Sequence, residues 1–471
     1  MASPKLSQAH SSLGPDFFDA VTPAAFPETI LRYRNQRWAE RIGLGDLDIT
    51  EWIAHFGRFE PLEGSFEAPL ALRYHGHQFR AYNPDLGDGR GFLFAQLHDL
   101  EDGRLLDLGT KGSGTTPWSR GGDGRLTLKG GIREVLASEM LEALGVSTSK
   151  SFSLIETGEA LHREDEPSPT RASVLVRLSH SHIRIGTFQR LFALKDHANL
   201  ARLADHCIAH YYPEIADRPA ETRVPAFLGA VAERVAETAA RWTAVGFVHG
   251  VLNTDNINIT GESFDYGPWR FLPSYQPGFT AASFDQGGLF AFGRQPDALA
   301  WTLTRFAECL VPLAEIAALE PELNRFWPRF QAALAEAVLD RLGLESVDEK
   351  KDAELMSALL SFLQVSQAPF EQVMFDLRGG LAQPERLEAS PVADHYAGKR
   401  LSRVKALLEG FSPRAGALDH SYFERVAPRT MLLEDVEALW APIDGADDWM
   451  PFNAALDEIG EMRQAYAGTA G

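Results

Sequence analysis

Two aspartates and an asparagine stand closest to chemistry in this chain. Asp255 and Asn256 lie in the run Gly246-Phe-Val-His-Gly-Val-Leu-Asn-Thr-Asp-Asn256, and Asp265 follows ten residues later in Phe264-Asp-Tyr-Gly267. Carboxylate and amide oxygens at this spacing can hold Mg²⁺, which keeps water and phosphate oxygens as its other ligands. A second carboxylate close by can take the proton of an attacking hydroxyl. The layout suits phosphoryl or nucleotidyl transfer. A polar turn whose Asn and Asp cap strands is the plainer reading of Asn-Thr-Asp-Asn alone; the Asp-Tyr-Gly downstream favours chemistry.

The order of parts echoes a protein kinase, with a catalytic-loop Asp, a metal-binding Asn and then Asp-Phe-Gly. The echo is imperfect, because a kinase places its Asn five residues after the Asp and here Asn256 is adjacent. Between the two aspartates, Ile257 and Ile259 alternate with Asn258 and Thr260, which predicts a short strand.

The elements that must position these residues follow from patterning. Residues 70–130 are rich in Gly, Arg, Asp and aromatics, and Gly-Asp-Gly-Arg occurs twice there, at 87–90 and 122–125. Glycines let backbone N–H groups approach phosphate oxygens, and arginine adds a bidentate charge. A single Gly-Asp-Gly is only a hairpin turn, but two copies with Lys111 between them favour a phosphate cradle. Residues 92–97, 105–108, 151–155 and 172–179 read as strands, and Lys129–Gly145 as a helix stopped by Gly145. The apolar stripe of that helix places Glu139 inward and Glu134 away from it. Arg177 and Arg184 either clamp phosphates or pair with surface acids. His75 and His77 form a His-x-His without a third ligand, more often structural than metal-binding. Helical periodicity begins near residue 187 and continues through the rest of the chain.

This pattern predicts an α+β fold of protein-kinase-like, bilobed form. Residues 1–64 read as a helical N-terminal extension, 65–185 as a β-rich nucleotide-binding lobe, and 186–471 as an α-helical lobe carrying the catalytic loop and metal site. With 471 residues, 45% hydrophobic and 23% charged, the chain can bury a large core. A net charge of −20 argues against nucleic acid as a partner. Cys207 and Cys309 are the two cysteines, with no Cys-x-x-Cys, which excludes a disulfide scaffold and a cysteine zinc site. No signal or transit segment is read at the N-terminus, and no run nears the ~18 apolar residues of a membrane span. A cytoplasmic protein without membrane partners is expected.

Taken together, the motifs from about Tyr74 to Leu303 resemble the selenoprotein O (SelO) family of kinase-fold protein adenylyltransferases. The resemblance rests on Gly-His-Gln-Phe79, Leu86-Gly-Asp-Gly-Arg-Gly91, Lys111-Gly-Ser-Gly-Thr-Thr-Pro-Trp-Ser-Arg120, Ile132-Arg-Glu134, Ser181-His-Ile-Arg184, and the Gly246–Asn256 and Phe264–Pro268 segments, all in order. It implies ATP bound inverted relative to a kinase, with AMP moving to a Ser, Thr or Tyr hydroxyl of a protein. It further implies Asp255 as catalytic base, Asn256 and Asp265 as ligands of Mg²⁺ (Mn²⁺ as the alternative), and Lys111 paired with Glu134 in preference to Glu139. Gly87, Gly89, Arg90, Asp123, Gly124, Arg177, Arg184 and Asp265 match positions around the nucleotide. Departures are Arg80, where the family has Gly, and Lys129-Gly-Gly131, where it has Arg-Ser-Ser. The chain carries no C-terminal Cys or selenocysteine motif, so redox control of the eukaryotic type is not expected. The implied partners are ATP and acceptor proteins, acted on by a monomer. UMP transfer, true phosphoryl transfer and a nucleotide-binding pseudokinase module are the competing readings.

Overall fold

The computed structural model describes residues 3–164 and 166–467. Strands and helices are segregated along the chain, so the protein is α+β rather than alternating. A nine-stranded antiparallel sheet draws all its strands from the first 180 residues. Its order is Phe18–Ala20, Leu70–Leu72, Leu93–His98, Leu105–Lys111, Thr170–Ser179, Lys150–Leu161 and Ile30–Arg34. Lys5–Ser7 pairs beside Leu93–His98, and Leu126–Thr127 beside Thr170–Ser179. From Ile185 onward the regular structure is dominated by helices. No helix of the described residues is long and apolar enough to cross a membrane.

The expectation of a helical segment at 1–64 needs correction. Helices do form at Gln36–Arg41 and Ile49–Phe56, the second closed by a capping box between Asp48 and Glu51. Three other pieces, Lys5–Ser7, Phe18–Ala20 and Ile30–Arg34, are strands of the main sheet. Each is short and pairs with a strand far along the chain, so local periodicity carried no signal for it.

Period-two alternation, broken by a register shift between Ser151 and Ser153, sorts the central strands onto two faces. Phe152, Ile155, Val174, Val176 and Leu178 pack with Trp38, Trp52 and Phe56 of the N-terminal helices. Leu154 and Leu175 point the other way, into the core that includes helix Leu128–Ala143. In register, Lys111 lies opposite Leu175 and Gly109 opposite Arg177. Lys111 and Arg177 therefore share the face that this helix covers. Thr127 caps the helix by accepting from the Gly130 N–H. A Cβ at Gly131 would fall 2.4 Å from Leu154 and 2.7 Å from Ser173 Oγ. The Gly-Gly departure from the family pattern thus lets the helix sit close on the sheet.

The predicted strand at 257–260 is absent. Asn258 makes one isolated bridge to Arg184, and its Oδ1 accepts from the Thr260 N–H and hydroxyl at 3.1 and 3.0 Å. An Asn side chain that satisfies its own backbone two residues on forms a turn instead of a ladder.

Trp52 is fully buried, stacks 4.9 Å from Phe152 and donates from Nε1 to Ser153 Oγ at 2.9 Å. Trp52→Ala should destabilise the protein by about 3–5 kcal/mol, read from the shift of the urea unfolding midpoint. A loss below about 1 kcal/mol would mean that this face does not anchor the sheet.

Candidate active site

Three segments from distant parts of the chain meet at one cavity of about 650 Å³. The lysine strand Leu105–Lys111 contributes Lys111, strand Thr170–Ser179 contributes Arg177, and the Phe264-Asp-Tyr turn contributes Asp265. The Lys111 ammonium bonds Glu134 on helix Leu128–Ala143 and lies 2.9 Å from Asp265 Oδ1. Arg177 Nη1 reaches the same oxygen at 3.1 Å. Glu134 is therefore the partner of Lys111. Glu139 is turned to the opposite side, where it accepts from Tyr33, Asn35 and Arg463. Helical periodicity was right that Glu139 faces protein, but the apolar stripe does not mark the side that faces Lys111.

Asp265 has a φ of 65°, a left-handed conformation uncommon for a residue with a Cβ. Its neighbour Phe264 is held by His249, whose Nε2 lies 2.9 Å from the Phe264 carbonyl. Neutral His249 suits this contact, because burial lowers its pKa. The sequence pattern gives His249 no role of its own; the His-Gly pair upstream of Asp255 is its one local signal.

The segment that carries Asp255 is a 3-10 turn, Thr254–Asn256, pinned to the Gly76–Gln78 strand region. Thr254 Oγ1 accepts from the His77 N–H at 2.7 Å and donates to Gln189 at 2.5 Å, while Asn253 Oδ1 accepts from the Phe79 N–H at 2.9 Å. His77 and His75 are structural here: His77 Nδ1 meets Gln189 at 2.8 Å and His75 Nδ1 meets Tyr82 Oη at 2.6 Å. Phe79 and Arg80 have φ of 49° and 65°. The glycine usual in the family at position 80 would enter that conformation freely; Arg80 enters it with its guanidinium 5.5 Å from the Trp301 ring.

The two aspartates have opposite electrostatics. Burial raises the Asp255 carboxyl to about 6, against the pull of Arg184. Its Oδ1 is buried and has no hydrogen-bond partner. Burial would raise Asp265 as well, but Lys111, Arg177 and Arg184 hold it well below the usual carboxylate range. One carboxylate is thus poised to take a proton near neutrality, and the other stays charged.

Arg184, almost fully buried, donates from Nη1 to Asp88 Oδ1 at 3.1 Å and lies 4.4 Å from the Tyr74 ring. Gly87, Gly89, Arg90, Asp123 and Gly124 also line the cavity; Glu134 and Asn256 do not, and meet it through Lys111 and Asp265. Asp123 pairs with Arg163 at 2.8 Å. The two Gly-Asp-Gly-Arg turns serve different ends. Gly124 has φ 68° and meets the Gly114 backbone, whereas a Cβ on Gly87 or Gly89 would fall within 2.4 Å of Trp118 Cγ or 2.8 Å of its carbonyl. Trp118, Tyr74 and Arg120 line the cavity too. Trp118 and Arg120 lie in the Lys111–Arg120 motif, but neither has a role of its own there, and Tyr74 marks only the start of the resemblance.

Among the described residues, no group of three or more His, Cys, Asp and Glu could hold a metal. Asn256 Nδ2 lies 3.4 Å from Asp265 Oδ2, so an amide and a carboxylate sit side by side. Two protein oxygens, with the rest left to water and phosphate, is a donor set that fits Mg²⁺.

The family model described as protein adenylyltransferase SelO matches residues 2–460. A protein nucleotidyltransferase YdiU of Gloeobacter violaceus is 45% identical over 98% of this chain and 95% of its own length. The protein of the same name from Synechocystis sp. is 43% identical over 96% of this chain and 97% of its own. That of Rhodopseudomonas palustris is 37% identical over 95% and 92%.

Gly87→Ala should push Trp118 off the cavity wall and weaken ATP binding about tenfold or more in calorimetric titration, with the fold retained by circular dichroism. Unchanged affinity would show that Trp118 moves aside at no cost to the site.

Proposed function

The chain belongs to the SelO family and is a protein nucleotidyltransferase; from that premise we propose that it transfers AMP from ATP to Ser, Thr or Tyr hydroxyls of other proteins. The observation that carries the reading is the contrast between Asp255, raised and unpartnered, and Asp265, clamped by Lys111 and Arg177.

In this reading the fold is a kinase-like pair of lobes, residues 65–185 and 186–471, with the cavity between them. ATP enters inverted relative to a kinase. Its β- and γ-phosphates go to the buried cations Lys111, Arg177 and Arg184, and the α-phosphate faces Asp255. Gly87, Gly89, Arg90, Asp123 and Gly124 line the rest of its path. Asp255 accepts the proton of the acceptor hydroxyl as that oxygen attacks the α-phosphorus. The α–β phosphoanhydride bond breaks, AMP stays on the acceptor, and pyrophosphate leaves against the same cations. Asn256 and Asp265 would hold Mg²⁺, which supplies charge neutralisation on the phosphates. Glu134 orients Lys111. The enzyme acts in the cytoplasm as a monomer, without nucleic acid or membrane partners. The name carried by the relatives leaves the base open, so UMP transfer is the second reading.

The test is labelling of acceptor protein in a lysate with Mg²⁺ and ATP labelled at the α or the γ position, beside α-labelled UTP. Label from α-ATP that disappears in Asp265→Ala is expected. Label from the γ position alone would make the protein a kinase, and preference for UTP would change the base.

Asp255→Asn should lower the transfer rate roughly 10²–10⁴-fold while leaving the ATP dissociation constant within a few-fold. Equal loss of binding and rate would assign Asp255 to nucleotide binding. Chelation of divalent metal should abolish transfer and leave the unfolding midpoint nearly unchanged without ATP.

A further inference from the structure

A second cavity, of about 360 Å³, lies away from the one that holds Asp255 and Asp265. Its volume is within the ~300–1,000 Å³ of small-molecule pockets. In a chain of net charge −20 it is lined by three arginines, Arg104, Arg234 and Arg241. We propose that this pocket is a second anion site, which takes the phosphoryl groups of a small phosphorylated molecule of the diphosphate class.

The arginines are preset rather than loose. Arg104 Nε is fixed by Asp102 at 2.8 Å. Arg234 donates from Nη1 to the Tyr211 carbonyl at 2.9 Å and stacks 3.9 Å from the Tyr212 ring. Arg241 Nη2 meets Asp340 at 2.9 Å, while its Nη1 lies 3.5 Å from where a Gly145 Cβ would be. Arg234 Nη2 also pairs with Glu214 at 3.4 Å and Arg104 Nη2 with Asp99 at 3.6 Å, and the three side chains, which line the cavity, keep 40%, 32% and 34% exposure. Planar guanidinium forks held in place match oxyanions and lose little entropy on binding. The one acid in the wall, Glu237, is engaged by Arg329 at 2.8 Å. His180 also lines the wall; burial, then Arg104 and Arg234, lower its pKa to about 3, so the imidazole stays neutral beside the arginines.

The pocket also touches both arms of the catalytic cluster. Gly145 closes the helix that carries Glu134, and Gly261 lies four residues before Asp265. Ser149 N–H donates to Ser263 O at 2.8 Å, and Ser263 N–H to Ser147 O at 2.9 Å, joining the two arms beside the cavity. An anion held there would tie the helix end to the segment leading into Asp265.

The inference does not rest on the transfer reading. Calorimetric titration with inorganic pyrophosphate, without divalent metal, should find two sites in the wild-type protein. Arg234→Gln/Arg241→Gln should keep one, while Lys111→Ala should keep the site that the double variant loses. Arg104→Gln, at an exposed position that should not disturb folding, should weaken the second site about tenfold. Pyrophosphate binding that neither the double variant nor Arg104→Gln reduces would overturn the proposal, whereas a single wild-type site that the double variant abolishes would support it. The α-label assay on the double variant reports separately on transfer.

Discussion

The half-buried Asp265 carboxylate, held between the Lys111 ammonium and the Arg177 guanidinium, is the interaction on which the site depends. Each charge in this cluster arrives from a different element: a strand, a second strand, a helix through Glu134, and a turn. Removing Lys111 would leave Glu134 without its cation, and removing Asp265 would leave Arg177 without its anion, a larger loss than the pair contributes. Well-packed apolar residues could fill such a space at no loss of stability, so the cluster speaks for chemistry rather than for folding. Low local dielectric also makes these charges act strongly on any anion that enters.

The support for this cluster comes from far away in sequence. Arg463, on the last helix, pairs with Glu139 and Glu142 on the outer side of the helix that carries Glu134. Lys129 at the head of that helix pairs with Glu437 at 2.8 Å. Asp447, between the last two helices, accepts from Arg32 and Arg171 on two strands of the sheet. The final helices therefore brace the Glu134 helix against the sheet. Several of these pairs are partly exposed and individually weak; their common effect is to fix the helix in one position. That the same helix carries an inward glutamate for the lysine and another for the brace explains why a single stripe of periodicity could not describe it.

Part of the backbone strain lies at the same place. Asp265, Phe79 and Arg80 all hold left-handed conformations within or beside the cavity. The surrounding hydrogen bonds impose them: His249 holds Phe264, and Asn253 holds Phe79. A site that must place carboxylates and backbone around a triphosphate-sized cavity accepts local cost that the large core offsets.

The residue types and their order determined a good deal without coordinates. The strands around Lys111 and Arg177, the helix from Lys129, the Asp255–Asn256 and Asp265 pair, and the glycine-arginine turns are all local signals, because period, caps and turn chemistry act over a few residues. Tertiary structure decided the rest. It set Glu134 rather than Glu139 against Lys111, recruited Lys5–Ser7, Phe18–Ala20 and Ile30–Arg34 into the sheet, and turned Asn258 out of a strand. It also separated two carboxylates of the same chemistry into one raised to about 6 and one held low. Those outcomes depend on register, burial and charges brought from hundreds of residues away, which no window of sequence contains.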